Sequence, residues 1–413
     1  MDLAIRGGSP VTDKHFPSWP VSGEEERSGL LRVLESGEWG STGGMEVSQF
    51  EGSFAEYHRA EFGIATSSGT AALSIALRAA GIGPGDEVLV PAYTFVASAT
   101  PILDVLAKPV FVDIEPDTLN IEPAAVEEAL TTRTKAILPV HFAGRPAPMG
   151  PLRNIARDND LIIIEDACQA WGAEYRKTSV GTLGSAGCFS FQSSKNISSG
   201  EGGMILTNNL GIARLSRSIS DCGRTAVGPW YEHENYGGNY RLTEFQGALL
   251  RAQLDRYPSL HKKRENAACF LSSEIRGIKG YLNLAPLDKH SRSAWHLFCL
   301  RLDTDAWGGI TKEEVVNAIR AEGIPISPGY QLPVYKQPFF TEGNFGPHGG
   351  PPSFYENNLP DFNRFSLPNT ERACSQEALW LTQNLLLADK KMLELIIEAL
   401  SKVFQFRDRI PRM

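Results

Sequence analysis

The chain has 413 residues, 42% of them hydrophobic, a formal charge of −8 and an isoelectric point near 5.6. That length buries a sizeable core, divided most naturally into one large domain and one smaller one. The acidic balance argues against a nucleic-acid or anionic-membrane surface, and no apolar run approaches the length a bilayer crossing requires.

The opening stretch, MDLAIRGGSPVTDK, lacks an apolar segment after a basic start, so no signal peptide is expected. From about Phe62 to Thr207, short apolar runs alternate with helical patterns, the rhythm of βαβ units around a mostly parallel sheet. Strands are expected in FGIAT, EVLVPA, PVFVDI, AILPVHF, LIIIED, CFSFQ and GMILTN. Helices are expected in TAALSIALRAA, PAAVEEAL and PMGPLRNIARDN, the first apolar on nearly every side and therefore deeply buried. Pro91, Pro109 and Pro116 fall at element ends, where a missing N–H is tolerated.

These patterns divide the chain into an N-terminal arm over 1–24, a large domain over 25–264 and a small α/β domain over 265–413. The small domain takes a strand around AWHLFCLRL, a helix from Thr311 to Glu322 and a C-terminal helix from Ala388 to Phe404. Gly343 to Pro360, dense in Gly, Pro and Asn, reads as a loop: a surface connection, or a flap over a site. The six cysteines, Cys168, Cys188, Cys222, Cys269, Cys299 and Cys374, form no C-x-x-C pair and suit a reducing cytosol. The eight histidines are dispersed, HENYG at His233 is not a zinc motif, and no catalytic metal is expected.

Three places can carry chemistry. Lys195, in CFSFQSSKNISSGEGGMIL, follows an apolar strand, where lost hydration lowers an amine's pKa and frees it for Schiff-base chemistry. A lysine emerging from a strand end would look the same. Asp166 ends LIIIEDACQA, where a buried carboxylate needs a cation or strong donors; a pyridinium nitrogen is one such cation, a salt bridge or a cap the alternative. Gln169 stands three residues further on. In FGIATSSGTAALSIAL, strand gives way to helix across Ser67, Ser68, Gly69 and Thr70, and free amides there hold either a phosphate or an ordinary cap. The nucleotide-binding pattern G-x-x-x-x-G-K-[ST] is absent.

Taken in order, SSGTAAL, PAYTFVA, EDACQA, FSFQSSKNISSGEGG and GGNYRLTEFQGAL resemble the DegT/DnrJ/EryC1/StrS family of aminotransferases, which use pyridoxal 5′-phosphate (PLP). The likeness runs from about Phe16 to SLPNTERA and LWLTQNLLLA near the C-terminus. It implies the aspartate aminotransferase-like fold type I, with a seven-stranded, mostly parallel sheet. It implies Lys195 as the Schiff-base lysine and proton carrier, Asp166 at the pyridine nitrogen, and Gln169 near the phenolic oxygen. Phe95 falls where a ring stacks on the cofactor, and Gly69, Thr70 and Ser190 fall at phosphate positions. Asn239 matches an asparagine that reaches a neighbouring subunit's phosphate, which implies a homodimer with shared sites.

A subset of the family has histidine in place of the lysine and dehydrates sugars, so Lys195 favours ping-pong transamination. The implied substrates are an amino acid donor, L-glutamine or L-glutamate, and a keto-sugar or keto-cyclitol acceptor. FPSWP and LESGEWGSTGGMEVSQFE resemble the branch with cyclitol aminotransferases and 3-amino-5-hydroxybenzoate synthases, and an aromatising dehydratase is the alternative activity. A PLP-binding regulator without turnover is a further alternative, against which the complete lysine, aspartate and phosphate constellation weighs. Tyr93 and Trp39 are candidate acceptor contacts or plain core and rim aromatics. Arg224 and Arg241 are candidate carboxylate contacts, or partners of structural acids.

Overall fold

The computed structural model describes residues 2–225, 229–344, 362 and 365–412. A seven-stranded sheet has the order β1-β9-β8-β5-β4-β2-β3, formed by β1 (Phe62–Thr66), β2 (Glu87–Pro91), β3 (Lys108–Val112), β4 (Thr134–Ile137), β5 (Ile162–Asp166), β8 (Ala186–Ser190) and β9 (Gly203–Thr207). Two short strands, β6 (Glu174–Tyr175) and β7 (Thr178–Ser179), pair with each other in a separate hairpin. In the large sheet β9 runs antiparallel to both its neighbours, and the other pairings are parallel.

Alternation along each strand sends successive side chains into two cores. Leu89, Ile137, Ile163, Met204 and Leu206 enter one; Val88, Val90, Ala136, Ile164 and Ile205 enter the other. Burial on both faces explains why these strands read as continuous apolar runs. Glu165, fully buried, accepts N–H groups of Gly181, Leu183 and Gly184 at 2.8, 2.7 and 2.7 Å and faces His141 Nε2 at 3.0 Å. Those bonds anchor the 181–184 turn against the end of β5.

Every strand expected in the large domain forms, with shifted ends. The run AILPVHF is the largest departure: regular pairing stops at Ile137, because Pro139 has no N–H to continue the ladder. The segment stays extended, its Pro139 carbonyl accepting the Asp166 amide at 2.9 Å. CFSFQ likewise begins earlier, at Ala186, and ends at Ser190.

A helix from Glu244 to Ile275 runs unbroken across Arg264, where the large domain was expected to end. Leu250, Leu254 and Tyr257 pack into the large-domain core, whereas Ala267, Ala268, Leu271 and Ile275 serve a separate core. That second core belongs to an antiparallel sheet of β10 (Tyr281–Asn283), β11 (Leu297–Leu302) and β12 (Ala378–Thr382), with the helices Lys312–Ala321 and Lys390–Gln405. Leu3 of the N-terminal arm joins it, and Glu322 accepts the amides of Ala4 and Val11 at 2.9 and 3.1 Å. Of the expected 343–360 loop only Gly343 and Asn344 are among the described residues. No helix among the described residues is long and apolar enough to cross a membrane.

Candidate active site

Parallel pairing aligns β2, β5 and β8, and the antiparallel β9 between β8 and β1 returns β1 to the same direction. The C-terminal ends of β1, β2, β5 and β8 therefore lie along one edge of the sheet, where open α/β sheets take their ligands. A cavity of about 960 Å³ lies there. Gly69, Thr70, Phe95, Asp166, Gln169, Ser190 and Lys195 all line it.

The helix Gly69–Ala79 starts at this edge. Ser68 caps it by accepting the Ala71 amide at 3.1 Å, while the amides of Gly69 and Thr70 have no hydrogen-bond partner among the described residues. Two free N–H groups at the positive end of a helix dipole suit a phosphate. A Cβ on Gly69 would stand 2.8 Å from the Ser190 Cβ and 2.9 Å from the Cys168 Sγ. Gly69→Ala therefore has to push this helix end off β8, at about 1–3 kcal/mol. The expected result is a cofactor dissociation constant raised roughly 10-fold or more, read by titrating the apoprotein; unchanged affinity would contradict it.

Asp166 is 5% exposed. Its Oδ2 accepts the Ser98 hydroxyl at 2.7 Å and its Oδ1 the Cys168 amide at 3.1 Å, and Thr94 Oγ1 lies 2.8 Å from Ser98 Oγ. No ion pair neutralises this carboxylate among the described residues. Gln169 Oε1 accepts the Ala143 amide at 2.7 Å, which turns its Nε2 towards Tyr330 Oη, 3.5 Å away. Phe95 is 59% exposed, an unusual position for a large ring, and presents itself to the cavity.

Lys195 sits in a turn beyond β8, its amide donating to the Gln192 carbonyl at 2.9 Å. The Gln192 side chain accepts the Ser194 amide and hydroxyl at 2.8 and 2.7 Å, which tightens the turn. Burial holds the Lys195 amine below its ordinary pKa, partly opposed by Cys168 and Asp166. The direction is the one its sequence context predicts. Burial also pushes the Cys168 thiol well up. His296, buried with Nδ1 3.0 Å from Asn196 Oδ1, is driven well below the usual histidine range by burial and by the nearby charges of Lys195 and Arg264.

The other candidates stand apart from this cavity. Tyr93 is buried in an aromatic cluster, its ring 5.0 Å from Phe142 and 5.4 Å from Tyr330, and does not line the cavity. Trp39, half exposed, packs on Phe245 at 5.8 Å. Both follow the core-and-rim reading of these aromatics. Asn239 is exposed and outside the cavity of its own chain. Arg224 and Arg241 both bind Asp221, at 3.0 and 2.5 Å, so a structural acid already occupies each.

Sequence reasoning missed Ser98, His296, Tyr330 and Gln383, all of which line the cavity. Ser98 meets Asp166 across 68 residues, a separation that leaves no periodic signal. Trp19 lies within FPSWP, a segment noticed only as a likeness.

The residues present fit PLP. Free helix-end amides await an anion, a buried carboxylate without a counter-ion awaits a cation, and a lysine with a depressed pKa is ready to meet an aldehyde. The model of the DegT/DnrJ/EryC1/StrS aminotransferase family matches residues 20–350. The L-glutamine:2-deoxy-scyllo-inosose aminotransferase of Micromonospora echinospora is 35% identical over 97% of either chain. The crystal structure of 3-amino-5-hydroxybenzoic acid synthase matches with a TM-score of 0.84 at 34% identity, over 94% of this chain and 98% of that one. An aminotransferase from Psychrobacter cryohalolentis matches with a TM-score of 0.86 at 30% identity, over 95% and 99%. Site geometry, fold and family model thus agree, and the chain belongs to the DegT/DnrJ/EryC1/StrS family as a PLP-dependent aminotransferase of fold type I.

Proposed function

We propose that this enzyme moves the amino group of L-glutamine to a keto-cyclitol in a ping-pong reaction through Lys195. The observation that carries the reading is one cavity lined at once by Lys195, Asp166, Gly69 and Phe95. The donor and acceptor classes rest on the cyclitol aminotransferase that this chain matches over nearly its whole length.

When bound, PLP supplies an aldehyde that takes up the amine and a protonated ring that draws off electrons. The chain's own residues do the rest. The amides of Gly69 and Thr70, with Ser190, hold the phosphate. Phe95, exposed at the cavity, would pack against the cofactor ring. Asp166 would hold a positive charge at the ring nitrogen, and Ser98 and the Cys168 amide keep that carboxylate oriented. Gln169, its oxygen engaged by the Ala143 amide, would offer an N–H group to the phenolic oxygen. The Lys195 amine, its pKa lowered by burial, carries the proton away from the donor's Cα.

The working unit is a homodimer, with Asn239 of each chain serving the partner's phosphate. Its exposed position, clear of its own chain's cavity, supports this, as do the exposed rings of Tyr231 and Tyr236 on the same segment. The enzyme works in the cytoplasm, a placement supported by six unpaired cysteines.

The test is a two-step one. Holoenzyme is mixed with L-glutamine and the cofactor absorbance followed from its aldehyde to its amine form; 2-deoxy-scyllo-inosose or a nucleotide-linked keto-sugar is then added. Conversion followed by recovery with the cyclitol is expected. Recovery only with the keto-sugar would move the acceptor, and no conversion with any amino acid would overturn the reading. Release of an aromatic product from a dehydrating substrate would favour a synthase like the 3-amino-5-hydroxybenzoate enzyme.

A further inference from the structure

Arg264 is completely buried, yet it pairs with no carboxylate among the described residues. Its Nε and Nη2 both donate to the Gln383 side-chain oxygen, at 2.9 and 2.5 Å, its guanidinium lies 5.1 Å from the Trp19 ring centre, and its Nη1 has no partner. Burial lowers its pKa to about 10, so it stays charged at neutral pH. An uncompensated buried cation costs several kcal/mol. A fold tolerates such a group most readily where a counter-charge arrives with a ligand.

The layout shows where that charge would arrive. Gln383 follows β12 and lines the cavity, though only 2% of its surface is exposed. Because Arg264 occupies its oxygen, the amide is fixed with its NH₂ group as the end left to offer. Trp19, another lining residue, has a buried Nε1 with no partner. Its backbone is held in place from both sides: Asn384 donates to the Pro17 carbonyl at 2.7 Å and Gln253 to the Val21 carbonyl at 2.8 Å. This wall therefore offers the Gln383 NH₂ group backed by a full positive charge, with Trp19 beside it. Such a wall suits an oxygen anion far better than a neutral polyol.

We propose that Gln383, oriented by Arg264 and flanked by Trp19, binds the α-carboxylate of the amino donor. The inference rests on the transamination reading above, in which the donor brings a carboxylate and the keto-cyclitol a ketone and hydroxyls but no carboxylate. Gln383 is a specificity residue for the first half-reaction, and Arg264 is its positioning residue.

The two half-reactions are measured separately on holoenzyme, with Gln383→Glu and Gln383→Leu. Gln383→Glu gives Arg264 an internal partner and sets a negative charge where the donor carboxylate would lie. We expect the apparent Kd for L-glutamine to rise roughly 30-fold or more, the effect of losing a charge-assisted hydrogen bond. The acceptor half-reaction should change less than about 3-fold, with cofactor absorbance retained. L-Glutamine α-amide, which lacks the carboxylate, should bind wild type that much more weakly, and the discrimination should vanish in both variants. Unchanged glutamine affinity, or equal losses in the two half-reactions, would overturn the inference while leaving transamination intact. If wild type takes no amine from any donor, the reading beneath it falls first. Should Gln383→Glu fail to fold, Gln383→Leu carries the same comparison.

Discussion

Lys195→Ala is expected to fold normally, lose the visible absorbance of the lysine-bound cofactor, and transaminate at least about 10⁴-fold more slowly. The fold should survive because the residue lies in a turn whose backbone bond to Gln192 does not involve its side chain. The turn's other supports, from the Gln192 side chain to Ser194, are also untouched. What goes is the lysine amine that lines the cavity, whose pKa burial lowers. His296 cannot take over: it is held well below the usual range, and its Nδ1 already faces Asn196. A small soluble amine should enter the space left by the side chain and restore part of the proton transfer, rising with amine concentration. Thermal unfolding and near-UV spectra check the fold; turnover within 10-fold of wild type would remove Lys195 from the mechanism.

The part of this site legible from sequence is the part built locally. Ser68 to Thr70 follow β1, Phe95 follows β2, Asp166 ends β5, and Ser190 and Lys195 mark the end of β8 and the turn beyond it. Each combines an apolar strand with polar residues at its carboxyl end, and the common direction of β1, β2, β5 and β8 in the sheet gathers those ends. Residues from elsewhere left no such trace. His296, Tyr330 and Gln383 reach the cavity from the small-domain side and Trp19 from the N-terminal arm, so their meeting depends on how two cores are joined. That joint is the helix Glu244–Ile275, whose internal Pro258 and change of buried partner halfway along hide its single 32-residue length from pattern reading. Tyr93 illustrates the converse: its place two residues before Phe95 suggests a cavity residue, but the chain bends through 92–94 beyond β2, and Tyr93 is buried among core aromatics while Phe95 stays exposed.

Asp166→Asn is the second large loss expected, roughly 10²–10³-fold in kcat. The change keeps shape and nearly all of the local bonding. An asparagine oxygen can still accept the Cys168 amide, and its NH₂ can donate to Ser98 if that hydroxyl turns to Thr94, 2.8 Å away. Only the charge disappears, so the variant should fold like wild type, and its rates are read with cofactor saturating. With no carboxylate to hold a proton on the ring nitrogen, the ring becomes a poorer electron sink, and abstraction of the donor's Cα proton slows. The half-reaction with L-glutamine should therefore fall as far as the full turnover does. A cofactor analogue with a permanent positive charge on that nitrogen should recover much of the rate in Asp166→Asn and gain little in wild type. Ser98→Ala, which removes one of the two donors holding the carboxylate, should reproduce a small share of the loss, about 10-fold or less. An Asp166→Asn enzyme with near-wild-type kcat, or a rate the charged analogue does not lift, would mean that the carboxylate serves packing alone.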